Sequence, residues 1–212
     1  MSGEETRSKL RQAVDALFRE DKRIVTAESL TCGGIGAEIV KMPRVSDTIV
    51  GGFSVYNDDM KVNMLGVPRQ VIDRFSAVSA QVAHYMARGA LEKTAPCKGT
   101  AADIAIAVTG YAGSPNGFAD ESEAGKVFIA LATAFNGRNA SDMDINVYQH
   151  KFEGTRVEVQ QQTIAQSVDY LFQLACKNHI VPATSTAIHR IPNFGNDAPL
   201  QSMHAPKVLA HT

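Results

Sequence analysis

The segment TAESLTCGGIGAEIV, residues 26–40, decides the predicted fold class. The apolar run from Arg23 to Ala27 leads into it and has the length and composition of a short buried strand. Residues 33–42 carry apolar side chains at helical spacing, and Pro43 ends that predicted helix. The polar and glycine residues between them therefore lie at a turn from strand to helix, the basic unit of an α/β protein.

The rest of the chain continues this alternation of strands and helices. We therefore predict a three-layer α/β/α sandwich around a mixed, mainly parallel sheet. Apolar periodicity, proline and serine caps place further helices over residues 6–20 and 58–65, from Pro68, from Ser79 and over 157–175, and strands over 48–56, 103–109, 125–134 and 143–152.

Composition excludes several classes of protein. The 212 residues are 44% apolar and 20% charged, with a formal net charge of -1, which is ordinary for a globular protein. No Lys/Arg cluster indicates a nucleic-acid partner, and no apolar run approaches the roughly 18 residues of a membrane span. Because the N-terminal stretch is polar rather than signal-like, we expect a cytoplasmic location.

The chain divides into one domain, residues 1–177, and a C-terminal extension, residues 178–212. The extension is rich in Pro, Ser, Asn and Ala and has no periodicity, a composition typical of disorder. The three cysteines form no CxxC pair, and the six histidines show no HExxH spacing. We therefore expect no disulfide framework, no metal and no cofactor.

Three loops follow predicted strands and are expected to meet at one edge of the sheet, where open α/β sheets bind ligands. Glycines let backbone N–H groups approach a ligand, and a following helix start favours an anion. A glycine pair alone is more often ordinary turn chemistry, but three such loops in register indicate a site. The residues that we expect to contact a ligand there are Glu28, Thr31, Cys32, Gly33, Gly34, Asn57, Thr109, Gly110, Ala112 and Gly113.

Ser29 and Lys61 are the candidates for catalytic chemistry. A serine before a helix is usually a cap, but it can be a nucleophile if a base accepts its proton. Lys61 can be that base if desolvation lowers its pKa, although most lysines are solvated surface residues. Tyr56 ends a predicted strand and is either half-buried or part of the site.

Taken together, these segments resemble the CinA C-terminal family of nicotinamide-mononucleotide (NMN) deamidases. The resemblance runs in order over residues 8–175, without the amino-terminal domain of longer members, as expected of a stand-alone form. Each piece is weak, but the combination is specific. The matching segments are AESLTCGGIGAEIV, GGFSVYNDDMKVNMLGV, SAVSAQVAHYMARGA, DIAIAVTGYAGSPNG, AGKVFIALA and FEGTR.

The resemblance implies hydrolysis of the NMN carboxamide to nicotinate mononucleotide and ammonia, without a metal. It implies that Ser29 is the nucleophile, that Lys61 accepts its proton and that Tyr56 orients or relays. Backbone N–H groups around residues 31–33 would stabilise the oxyanion. The loop of residues 109–113 would contact the ribose phosphate or the ring, and a homodimer or higher oligomer is expected.

The chain departs from the family pattern at several positions. Cys32 replaces a glycine, and because cysteine disfavours positive φ we expect a rearranged turn or a shift of the flexible point to Gly34. Arg156 is retained and either meets a phosphate or pairs at the surface. These departures keep two alternatives open: a catalytically silent nucleotide- or partner-binding member, and a hydrolase based on Cys32. The other replacements are Leu30, Ser114, Thr155 and Gln160.

Overall fold

A computed structural model describes residues 3–97, 99, 101–113, 122–134, 143–177 and 186–188. Within these residues, a short 3₁₀ turn, Val45–Asp47, precedes the second strand. The helices are α1 (Gly3–Arg19), α2 (Gly34–Ile39), α3 (Asp58–Leu65), α4 (Arg69–Phe75), α5 (Ala80–Thr94) and α6 (Arg156–Lys177). The strands are β1 (Ile24–Glu28), β2 (Ile49–Ser54), β3 (Ile104–Gly110), β4 (Lys126–Ala134), β5 (Met143–Lys151) and β6 (Thr186–Ile188).

The strands form one mixed sheet in the order β2-β1-β3-β4-β5-β6. Strand β1 pairs in parallel with both β2 and β3, whereas the β3–β4, β4–β5 and β5–β6 pairs are antiparallel. Parallel neighbours need a crossover connection, and helices α2 to α5 supply it only among the first three strands. The α/β fold and the mixed sheet are confirmed, but the parallel part is smaller than predicted.

Side chains of β3 alternate between two cores on opposite faces of the sheet. Ala105 and Ala107 belong to the core under α5, where their small size lets this almost wholly buried helix lie close to the sheet. Ile104, Ile106 and Val108 belong to the other core, which α1 and α6 cover. The sheet is therefore covered by helices on both faces, as the predicted three-layer sandwich requires.

Most predicted elements agree with the structure to within a few residues, and two differences affect the site. The first strand ends at Glu28 rather than Ala27, so Glu28 is a buried strand residue. Helix α2 is shorter than predicted and begins at Gly34. The predicted cap of α5 is confirmed, because the Ser79 hydroxyl accepts the N–H of Val82 at 3.3 Å.

The predicted extension contributes to the sheet. Its described residues, Thr186–Ile188, form β6 and pair with β5 in antiparallel register. The rest of residues 178–212 lies outside the described residues, so the disorder predicted for that part stays a prediction. In the portion that the structure describes, no helix is long and apolar enough to cross a membrane.

Truncation after residue 177 should lower the melting temperature, because it removes β6 and leaves the edge of β5 unpaired. We expect a loss of about 1–2 kcal/mol, which corresponds to a fall of about 3–6 °C. Truncation after Ile188 keeps β6 and is the matched control. Calorimetry and native mass measurement check the prediction, and an unchanged melting curve with an unchanged oligomeric mass would contradict it.

Two histidines are buried on opposite faces of the sheet. His84 lies on α5, and its Nδ1 is a buried atom without a hydrogen-bond partner among the described residues. Burial and the nearby positive charge of Arg88 lower its pKa to about 4. Burial also lowers the pKa of His150 to about 4, and the Nε2 of this residue lies 2.9 Å from the Tyr170 hydroxyl.

The free energy of unfolding should therefore fall in mild acid. Because both folded-state pKa values lie below the ordinary value of 6.5, the unfolded chain binds more protons between about pH 6.5 and pH 4. Stability is fully present above that window and declines by about 2–3 kcal/mol per histidine as pH falls through it. Denaturant titration between pH 7.5 and pH 4 measures the free energy of unfolding at each pH. If the double variant His84→Gln, His150→Gln shows the same decline with falling pH, the prediction is wrong.

Candidate active site

The loops after β1, β2 and β3 meet at one edge of the sheet, as predicted. Glu28 ends β1 and lies in register with Ser54 of β2 on one side and with Val108 of β3 on the other. Two backbone hydrogen bonds extend this register past the strand ends: Ser29 N–H donates to the Val108 carbonyl at 3.0 Å, and Val55 N–H donates to the Glu28 carbonyl at 2.8 Å. The carboxyl ends of three parallel strands thus bring the candidate residues together.

The carboxylate of Glu28 organises the turn after β1. Its side chain is 0% exposed. It accepts the hydroxyl of Thr31 at 2.7 Å and the N–H groups of Gly33, Ile35 and Gly36 at 3.0, 3.0 and 2.9 Å. We predicted that Glu28 contacts a ligand, but all these bonds come from the protein, so its task in this structure is to position the turn.

Replacing Glu28 by Gln should destabilise the fold strongly. One carboxylate oxygen becomes an NH₂ donor that faces other donors, and the charge-assisted hydrogen bonds are lost, so we expect a cost of about 3 kcal/mol or more. Glu38→Gln is the control, because the Glu38 carboxylate is 41% exposed and pairs only with a surface lysine. Denaturant unfolding measures both, and equal stabilities of the two variants would disprove the organising role of Glu28.

Cys32 adopts the conformation that its side chain disfavours. Its φ is 48° and that of Gly33 is 95°, while Gly34 has no positive φ. The left-handed conformation therefore falls on Cys32 and Gly33 and has not shifted to Gly34, and the left-handed cysteine costs about 1–2 kcal/mol. Gly34 is needed for packing instead, because a Cβ there would lie 2.8 Å from Cδ1 of Ile164 on α6. The exposed Cys32 thiol accepts the Ser54 hydroxyl at 3.3 Å, which joins the turn to β2.

Lys61 is a buried lysine. It is 2% exposed on α3, so the alternative of a solvated surface lysine is excluded. Its Nζ donates to the Tyr56 carbonyl at 3.1 Å and lies 3.5 Å from Oδ1 of Asp58. Burial lowers the pKa of Lys61, and the Asp58 carboxylate partly opposes that shift. The amine is therefore biased toward the neutral form that can accept a proton.

Ser29 is 7% exposed, and its Oγ makes no hydrogen bond within the described residues. In particular, it makes none with Lys61, whose Nζ is directed to Tyr56 and Asp58. The predicted serine, directly after β1, and the predicted lysine, on the helix after β2, therefore share no direct hydrogen bond in this structure. Catalytic hydrogen bonds are often long or poorly aligned before substrate binds and tighten in the complex.

Tyr56 and Asn57 follow β2, and each makes a contact within the protein that helps to position Lys61. The Tyr56 ring is 62% exposed, and it is the backbone carbonyl of this residue that contacts Lys61. Asn57 caps α3, with its Oδ1 accepting the N–H of Met60 at 2.8 Å. Asn57 thereby fixes the start of the helix that carries Lys61.

Thr109 and Gly110 close the third parallel strand. Thr109 is buried, and its hydroxyl donates to the Ala77 carbonyl at 2.8 Å, which ties β3 to the loop before α5. At Gly110 a Cβ would lie 2.8 Å from the Lys126 carbonyl on β4, so only glycine fits this close approach. Both predicted ligand contacts therefore have structural tasks at the strand end.

Gly113 and Arg156 lie next to each other at the same edge. A Cβ at Gly113 would be 3.5 Å from Nη2 of Arg156, which is the first residue of α6. Ala112, the residue before Gly113, has its side chain buried in the core and turned to the protein rather than to a ligand. The exposed Arg156 therefore lies beside Gly113, and its contact with a phosphate stays a prediction.

Gln160 is the site residue whose role the sequence did not reveal. Its Nε2 donates to the Leu30 carbonyl at 2.7 Å, across 130 residues of chain. In the sequence, Gln160 stands out only as a departure from the family pattern. One signal was available, because Gln160 lies four residues after Arg156 and so shares a face of the same helix.

These features define an α/β domain with a free serine hydroxyl, a buried lysine and an exposed arginine at the carboxyl edge of three parallel strands. Within the residues that are described, no group of three or more His, Cys, Asp or Glu side chains is arranged to hold a metal ion. The polar groups at this edge are suited to a small ligand with an anionic part.

The chain belongs to the CinA C-terminal domain family, whose model matches residues 7–175. A CinA-like protein from Akkermansia muciniphila is 37% identical over 153 residues, which cover 72% of this chain and 34% of that protein. A CinA-like protein from Desulfotalea psychrophila is 35% identical over 156 residues, 74% of this chain and 34% of that protein. The chain thus spans about a third of the length of these curated relatives.

Solved structures of the same superfamily have the same fold. The competence/damage inducible protein CihA from Agrobacterium tumefaciens superposes with a TM-score of 0.69 at 29% identity, covering 80% of this chain and 94% of that one. A competence-damaged protein (CinA) superfamily protein from Escherichia coli superposes with a TM-score of 0.69 at 28% identity, covering 82% and 93%. The resemblance in the sequence is confirmed at the level of the family and its fold.

Proposed function

We propose that this protein is an amidohydrolase that cleaves the carboxamide of NMN to give nicotinate mononucleotide and ammonia. The observation that carries the proposal is Lys61, a buried lysine at the carboxyl edge of parallel strands, close in the chain to the end of β2. Burial of a lysine is costly, and it is typical of sites that need a neutral amine as a base. Membership of the CinA C-terminal domain family supports the proposal.

In the proposed mechanism, the Ser29 oxygen attacks the carboxamide carbon and its proton passes to Lys61. The tetrahedral intermediate then collapses, and protonated Lys61 returns the proton to the departing ammonia. Water hydrolyses the resulting ester and releases nicotinate mononucleotide and Ser29. Because Ser29 and Lys61 are not directly hydrogen-bonded, the first transfer requires that substrate binding or a bridging water connects them.

The phosphate of the substrate is assigned to Arg156 in this proposal. Its exposed guanidinium lies beside Gly113, where the loop backbone comes close without a side chain in between. Arginine recognises phosphate through paired N–H donors, so one such residue can orient a nucleotide. The exposed ring of Tyr56 is assigned to orienting the substrate at the opposite side of the edge.

A catalytically silent member that binds a nucleotide or a partner is the second candidate function. Two observations favour it: the Ser29 hydroxyl has no base within hydrogen-bond distance among the described residues, and Cys32 stands in a left-handed conformation. Such a protein would bind NMN without turning it over. A hydrolase based on Cys32 would instead lose its turnover when Cys32 is replaced by Gly.

Incubation with NMN should yield nicotinate mononucleotide and ammonia in equal amounts. We expect Ser29→Ala and Lys61→Met to lower kcat by about 10³-fold or more, since each removes a reacting group. The rate of the unmodified protein should rise with pH through the lowered pKa of Lys61, because only the neutral amine accepts the proton.

Lys41→Met is the matched control, because Lys41 pairs with Glu38 at the surface away from the strand ends. Melting temperatures of all variants separate loss of chemistry from loss of fold. Binding of NMN without any turnover by the unmodified protein would reject the amidohydrolase in favour of the silent member.

A further inference from the structure

The first three carbonyl groups of the turn, those of Ser29, Leu30 and Thr31, are paired within the protein. The Ser29 and Thr31 carbonyls accept N–H groups from within the turn at 3.1 and 2.9 Å. The Leu30 carbonyl between them is instead held from outside the turn, by the side-chain amide of Gln160 at 2.7 Å. Gln160 thus holds a carbonyl that the turn does not fix by itself.

The N–H groups of Leu30 and Thr31, in contrast, have no acceptor in the part of the chain that the structure describes. These residues are 2% and 8% exposed. A backbone N–H of a mostly buried residue normally has a hydrogen-bond partner, so these two donors are available to a ligand. Their natural acceptor is a ligand atom that enters the site beside Ser29.

Gln160 sets the direction of one of these donors. The Leu30 carbonyl and the Thr31 N–H belong to one trans peptide group and therefore point in opposite directions. By holding the carbonyl toward α6, Gln160 directs the N–H away from that helix. The 22-residue α6 is a rigid support, and Ile164, one turn further along it, packs against Gly34 of the same turn.

We propose that Gln160 is a positioning residue that aims the Thr31 N–H as an oxyanion donor for the scissile carboxamide. This inference rests on the proposed hydrolysis at Ser29. As the Ser29 oxygen bonds to the carboxamide carbon, the carbonyl electron pair moves onto its oxygen, and the hydroxyl proton passes to Lys61. The Thr31 N–H, with that of Leu30 beside it, stabilises the negative oxygen.

Gln160→Ala should lower kcat by about 10- to 100-fold, with KM changed by less than about threefold. The peptide group between Leu30 and Thr31 is then free to rotate. A misdirected donor loses part of the 10²- to 10³-fold increase in kcat that an oxyanion donor contributes. Gln162→Ala is the matched control: Gln162 lies on the same helix and also donates its amide to a backbone carbonyl, that of Glu153 at 2.7 Å, on its exposed face. It should keep kcat within about twofold.

The variant Gln160→Glu should change the pH dependence of kcat, which a purely structural role of Gln160 would leave unchanged. The variant has the same size, but an ionised carboxylate cannot donate to the Leu30 carbonyl, whereas a protonated one can. Its kcat relative to the unmodified protein should therefore rise as pH falls toward about 4–5. Gln162→Glu should show no such relative rise. If Gln160→Ala does not fold, as judged by its melting temperature, the isosteric Gln160→Glu decides.

A second readout does not depend on NMN turnover. A fluorophosphonate labels an activated serine by forming an Oγ–P bond and breaking the P–F bond, with fluoride and the hydroxyl proton leaving. If NMN is not turned over but Ser29 is labelled, a rate at least about tenfold lower in Gln160→Ala supports the positioning role while the proposed function fails. The inference is overturned if Gln160→Ala has the same kcat as the unmodified protein. It is also overturned if NMN is not turned over and the two proteins are labelled at equal rates, or if Ser29 shows neither turnover nor labelling.

Discussion

The buried carboxylate of Glu28 is the interaction on which the site depends. A charge that is fully removed from water costs several kcal/mol unless hydrogen bonds replace its hydration. Here one hydroxyl and three N–H groups do so, and all four come from residues 31–36. The carboxylate is satisfied only when the end of β1, the turn and the start of α2 are in one arrangement. The position of Ser29, the next residue, follows from that arrangement.

This network also explains how the turn tolerates Cys32. A left-handed non-glycine residue persists only where the surroundings determine the backbone on both sides. Glu28 anchors Thr31 before Cys32 and Gly33 after it. The cost of the strained cysteine is therefore smaller than the cost of releasing the buried carboxylate, and the turn keeps its shape.

The same network divides the backbone donors of the turn between structure and ligand. The N–H groups at the start of α2 are occupied by Glu28, so the helix start that the sequence indicated for an anion has little to offer a ligand. The donors that stay available lie before it, at Leu30 and Thr31. Helix α6 contacts this part of the turn through Gln160 and carries Arg156 one turn earlier. One helix thereby connects the place of the chemistry with the place proposed for the phosphate.

The sequence by itself determined the order and the type of the elements, the family, and the loops that form the site. Helical periodicity, proline and glycine positions and serine caps are local signals, so they place α3 and the start of α5 correctly without any tertiary information. What only the tertiary structure decided were pairings between distant segments. Sequence could not show that Glu28 is buried and fully engaged, that Lys61 is shielded from water or that Gln160 holds the Leu30 carbonyl. Nor could it show that, among the described strands, β1, β2 and β3 are the ones that pair in parallel. Each of these depends on which groups become neighbours when the sheet closes, and hydrogen-bond partners and burial are properties of that packing rather than of local spacing.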